Sequence, residues 1–199
     1  SHGYNSTLDY VSFICRQLLE ETPLLPHSNP GTMSRREMKN LKDVNASLGV
    51  MLESSSQTLC QKGGPHHRAP SKWPKVRMKT LNLAGQLKIP FTTGILIGIG
   101  EDRKDRISSL LAIRESHRTY GHIQEVIIQN FRAKSNTEMH NHPDAPSEDL
   151  LWTVAVARLI LGPTANIQVP PNLNPIDYPL FLLAGINDWG GVSPLTIDY

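Results

Sequence analysis

The sequence predicts an α/β fold, a parallel sheet backed by crossover helices in a barrel-like arrangement. Three observations predict it. Apolar runs of strand length, rich in β-branched residues, recur along the chain, as in Phe91–Gly98 and Glu125–Phe131. Amphipathic helical stretches separate them, at intervals of roughly 30–40 residues. The runs are apolar throughout instead of alternating, which marks strands covered on both faces. Four or five such units in a row favour a barrel over a short sandwich.

The elements follow in order. Residues 6–20 read as a helix with Leu8, Val11, Cys15, Leu18 and Leu19 on one face, and Ser6 with Asp9 has the capping-box pattern at its start. Leu24–Pro26 is a short apolar run that ends in a turn, His27-Ser28-Asn29-Pro30-Gly31. Ser34 and Glu37 form a second capping box and open a short helix. Leu48–Leu52 is a strand-length run. Pro74 suits the first turn of a helix carrying Val76, Leu81 and Ala84, with Gly85 placed to terminate it. Phe91–Gly98 is a strand, residues 103–118 a helix, and Glu125–Phe131 a strand. Pro146–Asp149 starts a helix striped with Leu150, Val154, Ala157 and Leu161, which Gly162-Pro163 ends. Asn166–Val169 reads as a last strand and Leu180–Ala184 as a last short helix before Gly185.

Composition bounds the function. Apolar residues are 39% and charged residues 19% of 199, enough for a buried core. A net charge of +2 gives no electrostatic reason to propose a nucleic acid or a membrane surface as partner. The longest charge-free run, Leu159–Ile176, is broken by Gly162, Pro163, Pro170 and Pro171, and no signal peptide opens the chain. A soluble, intracellular protein is the expectation. Two cysteines, Cys15 and Cys60, are too few for a disulfide scaffold. The chain lacks an initiator Met and shows no stop signal before Tyr199, so a piece truncated at both ends is expected.

In parallel α/β folds ligands sit at the carboxyl ends of the strands. That rule directs attention to Glu53-Ser54, Gly98–Asp102, Arg132 and Pro170–Asn172. In Gly94-Ile-Leu-Ile-Gly98-Ile-Gly100-Glu101, glycines at a strand end let a flat ligand approach the backbone, and close packing alone is the competing explanation. A third glycine in the dinucleotide-binding spacing is missing, because Arg103 stands there. Gln129, Asn130 and Arg132 end a buried strand and need partners or a cavity, since an unpaired buried amide costs about 1–3 kcal/mol. His66-His67 and His140-x-His142 invite a metal reading but lack a third ligand, and surface loops explain them better. His27, in its turn after an apolar run, is a better polar contact at a barrel mouth, while His122 is expected to be structural. Asp188 and Trp189 before Gly190-Gly191 suit either a lid over that mouth or, for the Trp, core filling.

The glycine run resembles the G-x-I-x-G-x-x-E motif of radical S-adenosylmethionine (SAM) enzymes, with Leu96 in the Ile place. Longer stretches sharpen the likeness: Leu24–Gly31, Val44–Glu53, Ile89–Gly94, Gly121–Arg132 and Ala184–Pro194 resemble the radical-SAM half of the FO synthases, which form the deazaflavin 7,8-didemethyl-8-hydroxy-5-deazariboflavin. The resemblance covers essentially the whole chain. It implies a partial (β/α) TIM-type barrel of the radical SAM superfamily, truncated at the N-terminus, with residues 1–199 holding the later strands. It implies SAM and a 4Fe-4S cluster as cofactors, although the C-x₃-C-x₂-C spacing of cluster ligands is absent, so the cluster segment is expected upstream and this piece alone is expected to be inactive. SAM contacts are implied at Glu53, Ser54, Lys72, Gly94, Gly98 and Glu101, with Lys72 a cation for the SAM carboxylate. Substrate contacts fall at His27, Gln129, Asn130, Arg132, Asp188 and Trp189. No metal ligand and no catalytic proton donor is identified. The implied reaction is a lyase step of coenzyme F420 biosynthesis. A tyrosine-derived adduct of a ribityl-diaminouracil closes its ring with loss of ammonia, with an electron donor for the cluster and a tyrosine-joining radical SAM module, fused or separate, as partners. The alternatives are that companion tyrosine–uracil joining enzyme or a related futalosine-pathway enzyme, a metal-dependent barrel hydrolase using His140 and His142, and a non-catalytic remnant.

Overall fold

The computed structural model describes residues 3–191, so Val192–Pro194 of the last motif lie outside the described residues. Within them six parallel strands form one sheet in sequential order, curled into a half-barrel. The strands are β1 (His27–Ser28), β2 (Ser47–Gly49), β3 (Phe91–Ile97), β4 (Ile123–Asn130), β5 (Ile167–Val169) and β6 (Asp188–Trp189). The helices are α1 (Thr7–Glu21), α2 (Arg35–Lys42), α3 (Pro74–Gln86), α4 (Arg103–Tyr120), α5 (Ser147–Leu161) and α6 (Tyr178–Ala184). Two strands were not expected. The segment read as a turn at His27 pairs with Ser47, and the segment read as a lid at Asp188 pairs with Gln168. A strand of two residues carries no periodicity, so nothing local announces it.

Helix ends follow their capping chemistry. Ser6 Oγ accepts from the Asp9 amide at 3.1 Å, which is one half of the box read from the sequence. Ser34 and Glu37 make both halves. A further box, Asp102 with Asp105, opens α4. Left-handed Gly121 closes α4, and Gly185 closes α6. Gly85 does not terminate α3, which runs on to Gln86. A Cβ there would lie 2.5 Å from the Tyr120 ring, so this glycine lets α3 and α4 approach.

The two faces of the sheet differ in kind. Leu48, Val50 and Leu52, then Phe91, Ile95 and Ile97, then Val126 and Ile128, then Ile167 and Val169 point to the helices and are buried. Leu81, Leu110, Ile113, Leu150, Val154 and Phe181 meet them from the helical layer. The intervening residues point to the inner, concave side. At the inner surface Gly94 is indispensable, because its Cβ would stand 2.1 Å from the Ile127 carbonyl oxygen of the neighbouring strand.

His122, just before β4, is buried as expected of a structural histidine, with Nε2 2.9 Å from the Leu81 carbonyl and Nδ1 without a partner. The ring is therefore the neutral Nε2–H tautomer. Burial lowers its pKa, the bond to Leu81 opposes, and His117 adds to the lowering. A depressed histidine means the unfolded chain binds the extra proton first. Stability is complete above the ordinary value of 6.5 and falls as pH drops below it. Urea unfolding at a series of pH values should show this slope, and His122→Gln should flatten it.

Candidate active site

The carboxyl end of β2 carries the densest group of charges. Past Gly49 the chain continues extended to Glu53, which forms a parallel bridge with Ile95. Its amide donates to the Gly94 carbonyl at 3.0 Å, and its carbonyl accepts from the Leu96 amide at 2.9 Å. Glu53 sits at φ 63, in the left-handed region where a side chain costs about 1–3 kcal/mol. Its side chain, 11% exposed, faces three cationic or ionisable groups: His66 at 3.0 Å, Lys72 at 3.2 Å and Arg77 at 3.4 Å. Arg77 also donates to the carbonyls of Ser71 and Met51. Burial alone would raise the Glu53 pKa, but the His66 hydrogen bond and the charges of Lys72, Arg77 and His66 outweigh it and hold the carboxyl below its ordinary value. Lys72 is 40% exposed, so one cation of the group stays open to solvent. Ser54 is buried beside it, its Oγ accepting from the Ser56 amide at 3.1 Å.

His66 corrects the surface-loop reading. It is 4% exposed, with Nε2 3.0 Å from the carboxylate of Glu53, 13 positions back, whereas His67 is exposed. Arg77 was not anticipated either. It stands on α3 among Lys75, Lys79, Asn82 and Gln86, so nothing in the sequence singled it out. His140 and His142 cap local carbonyls in the 137–143 loop. Among the described residues no three His, Cys, Asp or Glu side chains converge on a point that could hold a metal.

The glycine loop after β3 is built around Glu101. Its carboxylate accepts from the amides of Gly98 and Ile99, each at 2.8 Å, and pairs with Arg106 Nε at 2.8 Å. The Glu101 and Arg106 side chains are 1% and 6% exposed. Gly98 has φ 88, and a Cβ on it would stand 2.5 Å from the Ala145 Cβ. Here the two amides and the carboxylate are committed to each other, and Ala145 fills the space beside Gly98.

Of the residues that end β4, only Gln129 lies on the concave face, half-buried. Asn130 is 1% exposed on the opposite face and exchanges two hydrogen bonds, 3.1 and 2.9 Å, with Asn174. Arg132 donates to the Leu173 carbonyl and to Asp144. Both act as tethers between loops. The concave face also holds three polar pairs. His27 Nδ1 is 2.7 Å from Ser47 Oγ, Thr92 donates to Glu125 at 2.8 Å, and Gln168 donates to Asp188 at 2.8 Å. Although His27 is exposed, partial desolvation of its ring lowers its pKa, with the Glu125 charge opposing. Trp189 packs on the core and stacks edgewise on Tyr178 at 5.5 Å.

Two outcomes are expected. Arg106→Met leaves the Glu101 carboxylate buried without its cation and should cost about 3–5 kcal/mol in urea unfolding. Because the Glu53 carboxyl is depressed, its contribution to stability is present above its ordinary value of 4.5 and is lost as pH falls below it. Acid titration of the unfolding free energy should show that loss, and Glu53→Gln should remove this part of the pH dependence.

Comparison with known proteins places this geometry. No family model matches the chain. It is 55% identical over 198 residues to a 7,8-didemethyl-8-hydroxy-5-deazariboflavin synthase of Methanopyrus kandleri, which covers 100% of this chain and 59% of that protein. It is 56% identical over 199 residues to an FO synthase of Mycobacterium tuberculosis, covering 99% of this chain and 23% of that protein. The chain thus spans only part of the relatives it matches. Among solved structures, the [FeFe]-hydrogenase maturase HydG superposes with a TM-score of 0.79 at 16% identity, covering 93% of this chain and 42% of that one. Methylornithine synthase (PylB) superposes with a TM-score of 0.72 at 18% identity, covering 96% and 54%. The fold is therefore a partial (β/α) barrel like those of HydG and methylornithine synthase, and by sequence over its whole length the chain is similar to a segment of the FO synthases.

Proposed function

We propose that this chain is the part of a radical SAM FO synthase that forms the later strands of the barrel and walls its SAM and substrate sites. The observation that carries the reading is identity above 50% to FO synthases along the whole chain. The donor set at Glu53 fits the amino-acid end of SAM: a carboxylate for its ammonium, and Lys72 with Arg77 for its carboxylate. Glu53 and the two cations satisfy one another, and the exposed side of Lys72 gives a zwitterion a way in. Bound SAM supplies the hydrogen-abstracting oxidant of this chemistry. Gly94 and Gly98 with Glu101 shape the wall beside that site, and the concave face of β1 to β6 receives the substrate, a tyrosine-derived adduct of a ribityl-diaminouracil. Gln129, His27 and Asp188 orient it there, while the curled sheet limits water on one side.

The residues do not fit a 4Fe-4S cluster. Cys15 is buried against Ser28 and Asn45, and Cys60 lies in a separate short helix. The cluster ligands belong to a segment of the parent protein outside this chain, and a lyase reaction with loss of ammonia is assigned to that whole protein. This piece alone is inactive in this reading.

The test uses the parent protein, anaerobically prepared with its cluster, reductant, SAM, tyrosine and a ribityl-diaminouracil. The tyrosine-joining activity is supplied in trans where the parent lacks it. Mass spectrometry should find 7,8-didemethyl-8-hydroxy-5-deazariboflavin. Glu53→Gln should raise the Kd for SAM about 10-fold or more, because a charge-assisted hydrogen bond is worth about 1.5–3 kcal/mol. Release of 5′-deoxyadenosine without any deazaflavin from the unmodified protein would refute the substrate assignment.

A further inference from the structure

Helix α4 carries an apolar stripe that turns basic toward its end. Ile107, Leu110, Arg114 and His117 fall on one side by their spacing, and Ile113 beside them is fully buried. This half of α4 runs back to the amino ends of the strands, the end of the sheet away from Glu53. There a cavity of about 170 Å³ opens between the end of α4, the start of β4 and the segment 162–166 that joins α5 to β5. Arg114 and His117 line it from the helix, and Thr164, Ala165 and Asn166 line it from the joining segment.

Arg114 has no partner there. Its Nε is buried without a hydrogen bond, and among the described residues no acceptor and no carboxylate meets the rest of the guanidinium. Every other described arginine that is not exposed is engaged: Arg77 by the carbonyls of Ser71 and Met51, Arg106 by Glu101 and Asp149, Arg132 by Leu173 and Asp144, and Arg158 by the carbonyls of Gly185, Gly162 and Ala165. A guanidinium keeps its charge and carries a donor on every nitrogen, so a desolvated one without an acceptor is unfavourable. The carboxyl end of α4 favours a cation nearby, which accounts for the charge and not for a buried donor left unbonded. His117 brings a second donor. Its Nδ1 accepts from the Ile123 amide at 3.2 Å, which leaves the proton on Nε2, and Nε2 has no partner among the described residues. The one acidic residue on the lining, Glu125, has its carboxylate bonded to Thr92 and forms no ion pair with Arg114.

We propose that this cavity binds a small oxyanion, a phosphate or carboxylate group, held by Arg114 with His117. The planar fork of a guanidinium matches two oxygens of either group, and the cavity is of the size of such a group, not of a nucleotide. The bound anion ties the end of α4 to the segment leading into β5, and so stabilises the barrel from the face opposite Glu53. The site goes beyond the FO synthase reading and stands whether or not that reading does.

The test is calorimetric titration and thermal unfolding of the parent protein, with inorganic phosphate in one arm, acetate in another and chloride at equal ionic strength as the control. Phosphate or acetate should bind saturably, in the millimolar range or tighter, and raise the unfolding temperature, and the tighter of the two identifies the head group. Arg114→Gln should raise its Kd about 10-fold or more and His117→Gln roughly 3-fold, with SAM affinity unchanged in both. Arg114→Lys keeps the charge without the fork and should fall between wild type and Arg114→Gln. Lys72→Gln removes the exposed cation beside Glu53 and should leave anion binding as it is. Binding that survives in Arg114→Gln, or that is lost in Lys72→Gln, overturns the proposal. So does wild-type affinity in Arg114→Lys, the variant that decides the matter if Arg114→Gln fails to fold. A wild-type protein indifferent to both anions overturns it as well, because solvent alone then satisfies Arg114. An Arg114→Gln protein destabilised by the same margin with and without phosphate shows a packing role and overturns it too.

Discussion

The structure depends on one constraint, the period-two alternation of a parallel strand between a helix-covered face and an inner face. Every strand must satisfy both at once. On the outer face the demand is burial, met by the aliphatic side chains of Leu48, Ile95, Ile128 and Ile167 and by hydrogen-bonded Thr93 and Asn130. On the inner face the demand varies with depth: polar pairs cross the floor, glycines permit tight curvature, and charge collects at the carboxyl ends. A register slip of one residue in β4 would put Glu125 and Gln129 into the helical layer and Val126 and Ile128 into the cavity. The register is therefore fixed from both sides, by apolar burial outside and by the Thr92–Glu125 bond inside.

The two buried glutamates show how one residue type serves two purposes. Glu101 is consumed. Two amides and an arginine saturate it at 2.8 Å, and its spacing three residues after Gly98 lets the carboxylate reach back to the loop's own backbone. Glu53 is held instead by two buried groups, His66 and Arg77, and by one open to solvent, Lys72. Its left-handed backbone aims the carboxylate across the strand end while the main chain still pairs with β3. A saturated group organises, and an incompletely enclosed one can exchange partners with a ligand.

Most of the fold was legible because long elements carry their own periodicity. Helices α1, α4 and α5 and the strands Phe91–Ile97 and Ile123–Asn130 announce themselves through apolar spacing and caps. Strands β1 and β6 did not, since two residues held by their neighbours have no pattern. Glu53 was legible by position at a strand end, and its partners were not. His66 and Lys72 reach it from the irregular segment that precedes α3 and Arg77 from α3 itself, and no local signal specifies the path that brings them together. Asn130 shows the opposite limit. Gln129 and Asn130 look alike in sequence, yet strand alternation sends one into the cavity and the other to Asn174, and only the register of β4 distinguishes them.

That register also explains why the glycine run is more a scaffold than a lining. Gly94 and Gly98 are each too close to another part of the chain to carry a Cβ, one to the Ile127 carbonyl and one to Ala145. The first contact sets how sharply β3 and β4 curl, and the second seats the segment leading into α5 against the end of β3. Curvature and loop position together set the width of the concave face. A substitution at either glycine therefore acts on ligands through the shape of the barrel, even where no ligand atom touches the glycine. Spacing in such a motif reports backbone geometry first, and the chemistry that exploits it is supplied by the polar side chains of the adjoining strands.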